Sequence, residues 1–114
     1  MKSINVEISE GIATVTLDRP PVNAINNEAM QEMVEVFNSF ADNRDVRVAI
    51  FTAAGDRAFM AGVDLKSVAS APGEETPLSS LTDSGAISRS AMWAITDCAV
   101  PVIGAINGPA IGAG

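Results

Sequence analysis

The sequence predicts an α/β fold, and three observations carry that reading. Near the start, Ile4, Val6 and Ile8 alternate with polar residues, and then Ala13, Val15 and Leu17 alternate with Ile12, Thr14, Thr16 and Asp18. A period of two marks strands. Next, Met30, Met33, Val34, Phe37, Phe40 and Ala41 recur at helical spacing and make one apolar face. Last, two nearly continuous apolar runs, 46–51 and 100–106, have the composition of strands buried on both faces.

The connections fit those elements. Glu10-Gly11 joins the first two strands in a tight turn. Arg19-Pro20-Pro21 ends the second strand, because proline lacks the ladder donor. Asn26 or Asn27 can cap the helix that follows, and Asp42-Asn43-Arg44-Asp45 closes it. A polar loop, Ala53-Ala54-Gly55-Asp56-Arg57, leads into Phe59-Met60-Ala61-Gly62-Val63-Asp64-Leu65-Lys66. From 67 to 80 the chain is rich in Ala, Ser, Pro and Glu, which predicts a mobile loop. From about Asp83, Ile87, Ala91, Ala94, Ile95 and Cys98 recur at helical spacing. The run 100–106 has a proline near its start and leads into Asn107-Gly108-Pro109-Ala110-Ile111-Gly112-Ala113-Gly114, a glycine-rich turn with the look of a helix start. The predicted order is β-β-α-β-loop-α-β, without an internal repeat. A buried strand and turn with nothing after them to cover them create the expectation that 1–114 is the N-terminal part of a single larger domain.

Composition narrows the function classes. The 114 residues are 47 % hydrophobic and 18 % charged, a globular composition. The net charge of −7 repels nucleic acid and anionic membrane surfaces at long range, while leaving room for a local basic pocket. There is no run of Lys and Arg of the kind RNA-binding proteins carry. The single cysteine, Cys98, rules out an intrachain disulfide and fits a reducing compartment. The opening residues lack an apolar h-region, so no signal peptide and a cytoplasmic location are expected. No apolar run approaches the roughly 20 residues that span a bilayer. With no histidine in the chain, Ser–His and Cys–His nucleophile pairs and histidine metal sites are excluded within it. No metal site is expected.

Chemistry is concentrated in two segments, each a buried strand followed by a Gly/Ala-rich turn. Such turns expose backbone N–H groups and let a ligand approach closely. Two of them facing each other would make an oxyanion hole. The glycines at 104, 108, 112 and 114 spell neither a dinucleotide fingerprint nor a phosphate-binding P-loop.

Three motifs carry a family resemblance. Phe59 to Lys66 resembles F-x-A-G-x-D-[LI]. Asn107 to Gly114 resembles N-G-x-[AC]-x-G-[GA]-G after a Pro-Val-Ile strand. Arg19-Pro20-Pro21-Val22-Asn23-Ala24-Ile25-Asn26 resembles R-P-x-x-N-A-[LI]. In this order they cover almost the whole chain, and they are similar to the enoyl-CoA hydratase/isomerase (crotonase) family. The resemblance implies a crotonase-type spiral of β-β-α units, here its N-terminal part only. It implies that the backbone N–H groups of Val63 and Ala113 form an oxyanion hole for the thioester carbonyl of an acyl-CoA. It implies that Ala61, Asp64 and Leu65 line the adenine end of coenzyme A, that Ala24 packs near the pantetheine arm, and that Arg57 and Lys66 approach the phosphates. Coenzyme A enters as the substrate carrier, with no other cofactor, and the complete protein is expected as a homotrimer or a dimer of trimers.

Two positions depart from the pattern. Pro21-Val22 replaces a stretch that commonly holds a basic residue, and Ala113 stands where glycine is most common, so its methyl can narrow the acyl site. Plainer roles stand beside the functional ones. Gly62 and Gly112 can be turn or packing glycines, Asp64 a helix N-cap, and Arg57 and Lys66 solvated charges. Glu28, Glu32 and Glu35 read as a solvated helix face, Met30 and Met33 as core filler, Cys98 as a small buried residue, and Trp93 as helix packing.

Hydration of a 2-enoyl-CoA is the activity expected, with enoyl-CoA isomerisation or non-catalytic acyl-CoA binding as alternatives. The two glutamates that family hydratases use as acid and base would lie just beyond Gly114. The 114 residues alone are therefore expected to bind coenzyme A poorly and to be inactive.

Overall fold

The computed structural model of the protein describes residues 2–64, 87 and 89–114. Strand β1 (Ile4–Ser9) pairs antiparallel with β2 (Ile12–Leu17), from Ile4 opposite Leu17 to Ser9 opposite Ile12. Glu10 and Gly11 between them both have positive φ, 53° and 82°. That is the backbone sign of the two-residue turn whose twist matches a hairpin.

Helix α1 (Asn27–Ser39) starts where Asn26 accepts the Ala29 N–H on its side-chain oxygen at 2.9 Å. It ends in a 3-10 turn, Phe40–Asp42. The chain then returns in β3 (Val48–Ala53), parallel to β2, with Ile12 beside Val48 and Leu17 beside Ala53. A parallel neighbour needs a crossover, and α1 supplies it. A second helix, α2 (89–96), precedes β4 (Val102–Gly104), which is parallel to β3. The described strands form one sheet in the order β1-β2-β3-β4.

The core lies between one sheet face and the helices. Ala13, Val15, Leu17, Ala49, Phe51 and Ala53 are buried from the sheet, and Met30, Met33, Val36, Phe37 and Phe40 from α1 and its 3-10 extension. The small residues of the sheet leave room for aromatic rings. Phe37 meets Phe51 edge-on at 5.4 Å between centroids and Phe40 at 6.0 Å, and Phe51 meets Phe59 at 5.3 Å. Ala91 and Ala94 of α2 are buried in the same core.

Several expectations are corrected. The run 46–51 becomes a strand from Val48 to Ala53, and only alternate residues are buried. Val48, Ile50 and Thr52 point to a face that no described element packs closely, so they are half-exposed. The run 100–106 forms a strand only at 102–104. Among the described residues it lies at the sheet's edge, half-exposed at Val102 and exposed at Ile103 and Gly104. The segment 107–114 closes in a turn at 112–113, where the expected helix start would follow. Ala41 falls in the 3-10 turn, which rotates it off the apolar face into solvent. Trp93 is 60 % exposed on α2, because the helix seats itself through the small residues Ala91 and Ala94. The expected loop at 67–80 lies outside the described residues.

Glu32 is the largest correction. Glu28 and Glu35 are exposed as expected, but Glu32 is only 9 % exposed. Its two carboxylate oxygens accept the backbone N–H groups of Lys2 and Ser3, at 2.8 and 2.9 Å. The Ser3 carbonyl in turn accepts the Asp18 N–H at 2.8 Å. The carboxylate thus ties the start of β1 to α1. Glu32→Ala should cost about 1–3 kcal/mol of stability, since it strands two N–H groups near the core. Glu28→Ala should cost no more than about 0.5 kcal/mol, because its pair with Lys2 is exposed. Urea midpoints of the two variants, at unchanged slope, check this ordering.

Candidate functional site

Beyond the sheet edge, the segments carrying the two glycine motifs run side by side. Phe59 and Met60 donate their N–H groups to the Pro109 carbonyl at 3.0 and 3.3 Å, and Ile111 donates to the Met60 carbonyl at 3.0 Å. Met60 and Ala110 form a parallel bridge. On the opposite side the first motif bridges to the early loop. Ile25 N–H donates to the Gly62 carbonyl at 2.8 Å, and Asp64 N–H donates to the Ile25 carbonyl at 2.6 Å.

This pattern decides where one candidate donor points. The Gly62–Val63 peptide is trans. In a trans peptide C=O and N–H point in opposite directions. The Gly62 carbonyl faces Ile25, so the Val63 N–H faces away from Ile25. Gly62 achieves this with φ +92°, and a Cβ there would sit 2.9 Å from the Ile111 carbonyl oxygen and 3.7 Å from the Ala113 nitrogen. Both the turn of the chain and the close approach therefore require glycine.

The second candidate donor lies in a turn. Gly114 N–H donates to the Ile111 carbonyl at 3.0 Å, with Gly112 at φ +61°. That bond leaves out the central peptide, to which the Ala113 N–H belongs. Among the described residues, neither the Val63 nor the Ala113 N–H donates a hydrogen bond. Gly114 is pressed against the first motif, where a Cβ would come 2.5 Å from the Met60 carbonyl oxygen.

A cavity of about 380 Å³ opens beside Ala113, and Met30, Met33, Phe59, Ile95 and Ala110 are among its apolar walls. Its size and character suit an apolar ligand group. Met30 and Met33, read as core filler, serve both core and cavity wall. Cys98 is half-buried, with its sulfur 3.6 Å from the Phe37 carbonyl oxygen.

The residues assigned to coenzyme A are placed unevenly. Ala24 and Ala61 are half-buried beside the bridges, and Arg57 is exposed at the end of the loop 54–57. Asp64 faces Arg19, with Nη1 and Oδ2 3.8 Å apart. Leu65 and Lys66 lie outside the described residues, as does any helix that Asp64 would cap.

Sequence reasoning gave no role to two asparagine side chains that hold the site's frame. Asn23 is 2 % exposed and has φ 57°. Its oxygen accepts the Arg19 N–H, and its amide donates to the carbonyls of Ala54 and Ala58, all at 2.9 Å. Asn107 donates to the carbonyls of Ala53 and Gly55 at 2.8 and 3.2 Å. One loop is thus pinned from two motifs. The signal available was an asparagine at a set position in each motif. Asn23→Ala should cost about 2–3 kcal/mol, through stranded buried groups and a left-handed backbone. Asn107→Ala should cost about 1 kcal/mol, because Asn107 itself and one of its two acceptors, Gly55, are exposed. Chemical denaturation of both variants tests the order.

Known proteins share this architecture. Residues 7–114 match a family model described as enoyl-CoA hydratase/isomerase. A carnitinyl-CoA dehydratase of Proteus mirabilis is 39 % identical over 99 % of the chain and 41 % of its own length. A (7aS)-7a-methyl-1,5-dioxo-2,3,5,6,7,7a-hexahydro-1H-indene-carboxyl-CoA hydrolase of Rhodococcus jostii is 40 % identical over 92 % of the chain and 39 % of its own length. The chain thus spans about 41 % of the length of the first of these relatives. The crystal structure of an enoyl-CoA hydratase from Bacillus anthracis superposes with a TM-score of 0.86 at 28 % identity, over 98 % of this chain and 42 % of that one. An enoyl-CoA hydratase/carnithine racemase from Magnetospirillum magneticum gives 0.87 at 31 %, over 99 % and 42 %.

Proposed function

The chain belongs to the enoyl-CoA hydratase/isomerase family, and from that premise we propose that the complete polypeptide carrying it hydrates 2-enoyl-CoA thioesters. The fold is of the crotonase type, represented by its N-terminal part. The observation that carries the proposal is the pairing of Gly62 with the 111–113 turn, which brings the Ala113 nitrogen beside the peptide that bears the Val63 N–H.

In this reading the two N–H groups donate to the thioester carbonyl oxygen. Water adds at the β-carbon, electrons move through the α-carbon to that oxygen, and an enolate forms. Negative charge appears on the oxygen only as the reaction proceeds, so the donors stabilise the transition state more than the substrate. Proton transfer falls to carboxylates that the resemblance puts beyond Gly114. The apolar cavity beside Ala113 takes the acyl group. Ala24, Ala61 and Arg57 lie toward coenzyme A, the carrier, with Leu65 and Lys66 assigned there by motif alone. A cytoplasmic homotrimer or dimer of trimers completes the proposal. The relative named a carnitinyl-CoA dehydratase supports it, since dehydration is hydration run backwards.

The test is an assay of the complete polypeptide on crotonyl-CoA and on a 3-enoyl-CoA. Hydration of crotonyl-CoA is expected. Turnover of the 3-enoyl-CoA alone would replace hydratase by isomerase, and coenzyme A binding without turnover of either would make this a non-catalytic binder. Val63→Pro deletes one proposed donor. It should lower kcat by about 10²-fold or more, with the fold checked by circular dichroism.

A further inference from the structure

Arg19 is not among the groups placed against thioester or coenzyme above, yet its guanidinium touches both sides of the Ile25–Val63 bridge. Nη1 donates to the Ala24 carbonyl and lies 3.8 Å from Asp64 Oδ2. Ala24 is the residue before Ile25, and Asp64 is the residue after Val63. One cation therefore joins the two segments immediately next to the bridging pair.

The bridge needs such support. It is isolated, with two backbone hydrogen bonds and no continuing ladder. Gly62, next to it, is a residue with a soft backbone and no side chain to anchor. Rotation about Gly62 would swing the Gly62–Val63 peptide and, with it, the Val63 N–H. Arg19 itself is held in place. Its N–H donates to Asn23 Oδ1 at 2.9 Å, and its carbonyl accepts the Asn23 N–H at 2.8 Å. The side chains of Arg19 and Asp64 are only 24 and 26 % exposed, so water and salt screen the pair less than a surface pair.

We infer that Arg19 is a positioning residue that aims the Val63 N–H, acting through Asp64 and the Ala24 carbonyl. This rests on the proposed role of Val63 as an oxyanion donor. It also moves Asp64 from coenzyme contact to a part of the frame.

The experiment uses the complete polypeptide and 4-(dimethylamino)cinnamoyl-CoA, a push–pull thioester whose absorption moves to the red when its carbonyl is polarised. The unaltered protein should give a red shift at saturation. Arg19→Gln and Asp64→Asn should each reduce that shift. They should also lower kcat on crotonyl-CoA by about 10–100-fold, as a small misplacement of a donor does, with KM changed by no more than about threefold. Arg19→Lys, which keeps the charge, should recover part of both. Asp64→Asn keeps shape and volume, so it tests the pair even if Arg19→Gln folds poorly. A full red shift and full kcat in both Arg19→Gln and Asp64→Asn would overturn the inference. So would a rise in KM with the red shift intact at saturation, which would make Arg19 a binding contact. An unaltered protein without any red shift would remove the Val63 reading itself, an outcome distinct from a red shift that the variants leave unchanged.

Discussion

The buried amide of Asn23 makes three hydrogen bonds, and much of the site depends on them. Its oxygen holds the Arg19 N–H, and its nitrogen holds the carbonyls of Ala54 and Ala58. The first bond shapes the loop 19–24. The other two fasten that loop to the end of β3 and to the start of the first glycine motif. With those ends fixed, Ile25 comes alongside Gly62 and Val63. Both N–H donors and the oxygen of the amide are engaged, which is how a polar side chain tolerates burial.

Asn107 acts on the same loop from the other direction, through Ala53 and Gly55. The second glycine motif is therefore referenced to the same end of β3 as the early loop. Three segments far apart in sequence converge there, each close to a parallel strand's C-terminal end. Ligands of open α/β sheets gather at such ends because the strands stop together and their loops can diverge. The sheet contributes position, and the loops carry the N–H groups proposed as donors.

Packing supplies the stiffness that this convergence needs. The small sheet residues Ala13, Ala49 and Ala53 admit the rings of Phe37, Phe51 and Phe59, which meet edge to face. Phe59 belongs both to that aromatic chain and to the first glycine motif, so the core and the site share a residue. Glu32 fixes the opposite edge of the layer by holding the start of β1 on α1. A core this close-packed transmits displacement instead of absorbing it.

The sequence by itself determined the order of elements, the hairpin turn at Glu10-Gly11, a helix cap at Asn26 or Asn27 and the apolar face of α1. These depend on residues within a few positions of one another, and local periodicity and turn chemistry report them. The glycine motifs were legible for the same reason, and so was the resemblance to a family. Tertiary structure alone decided which polar groups became internal. Glu32 has the same local setting as Glu28 and Glu35, and only the arrival of β1 buries it. Asp64 and Arg19 are far apart in sequence and meet only because Ile25 bridges Val63. The run 100–106 has a strand's composition throughout, yet it pairs with β3 only over 102–104, because pairing depends on a partner distant in sequence. The direction of the Val63 N–H likewise comes from a carbonyl's distant partner. Local pattern records what a segment can form, and long-range hydrogen bonds decide what it faces.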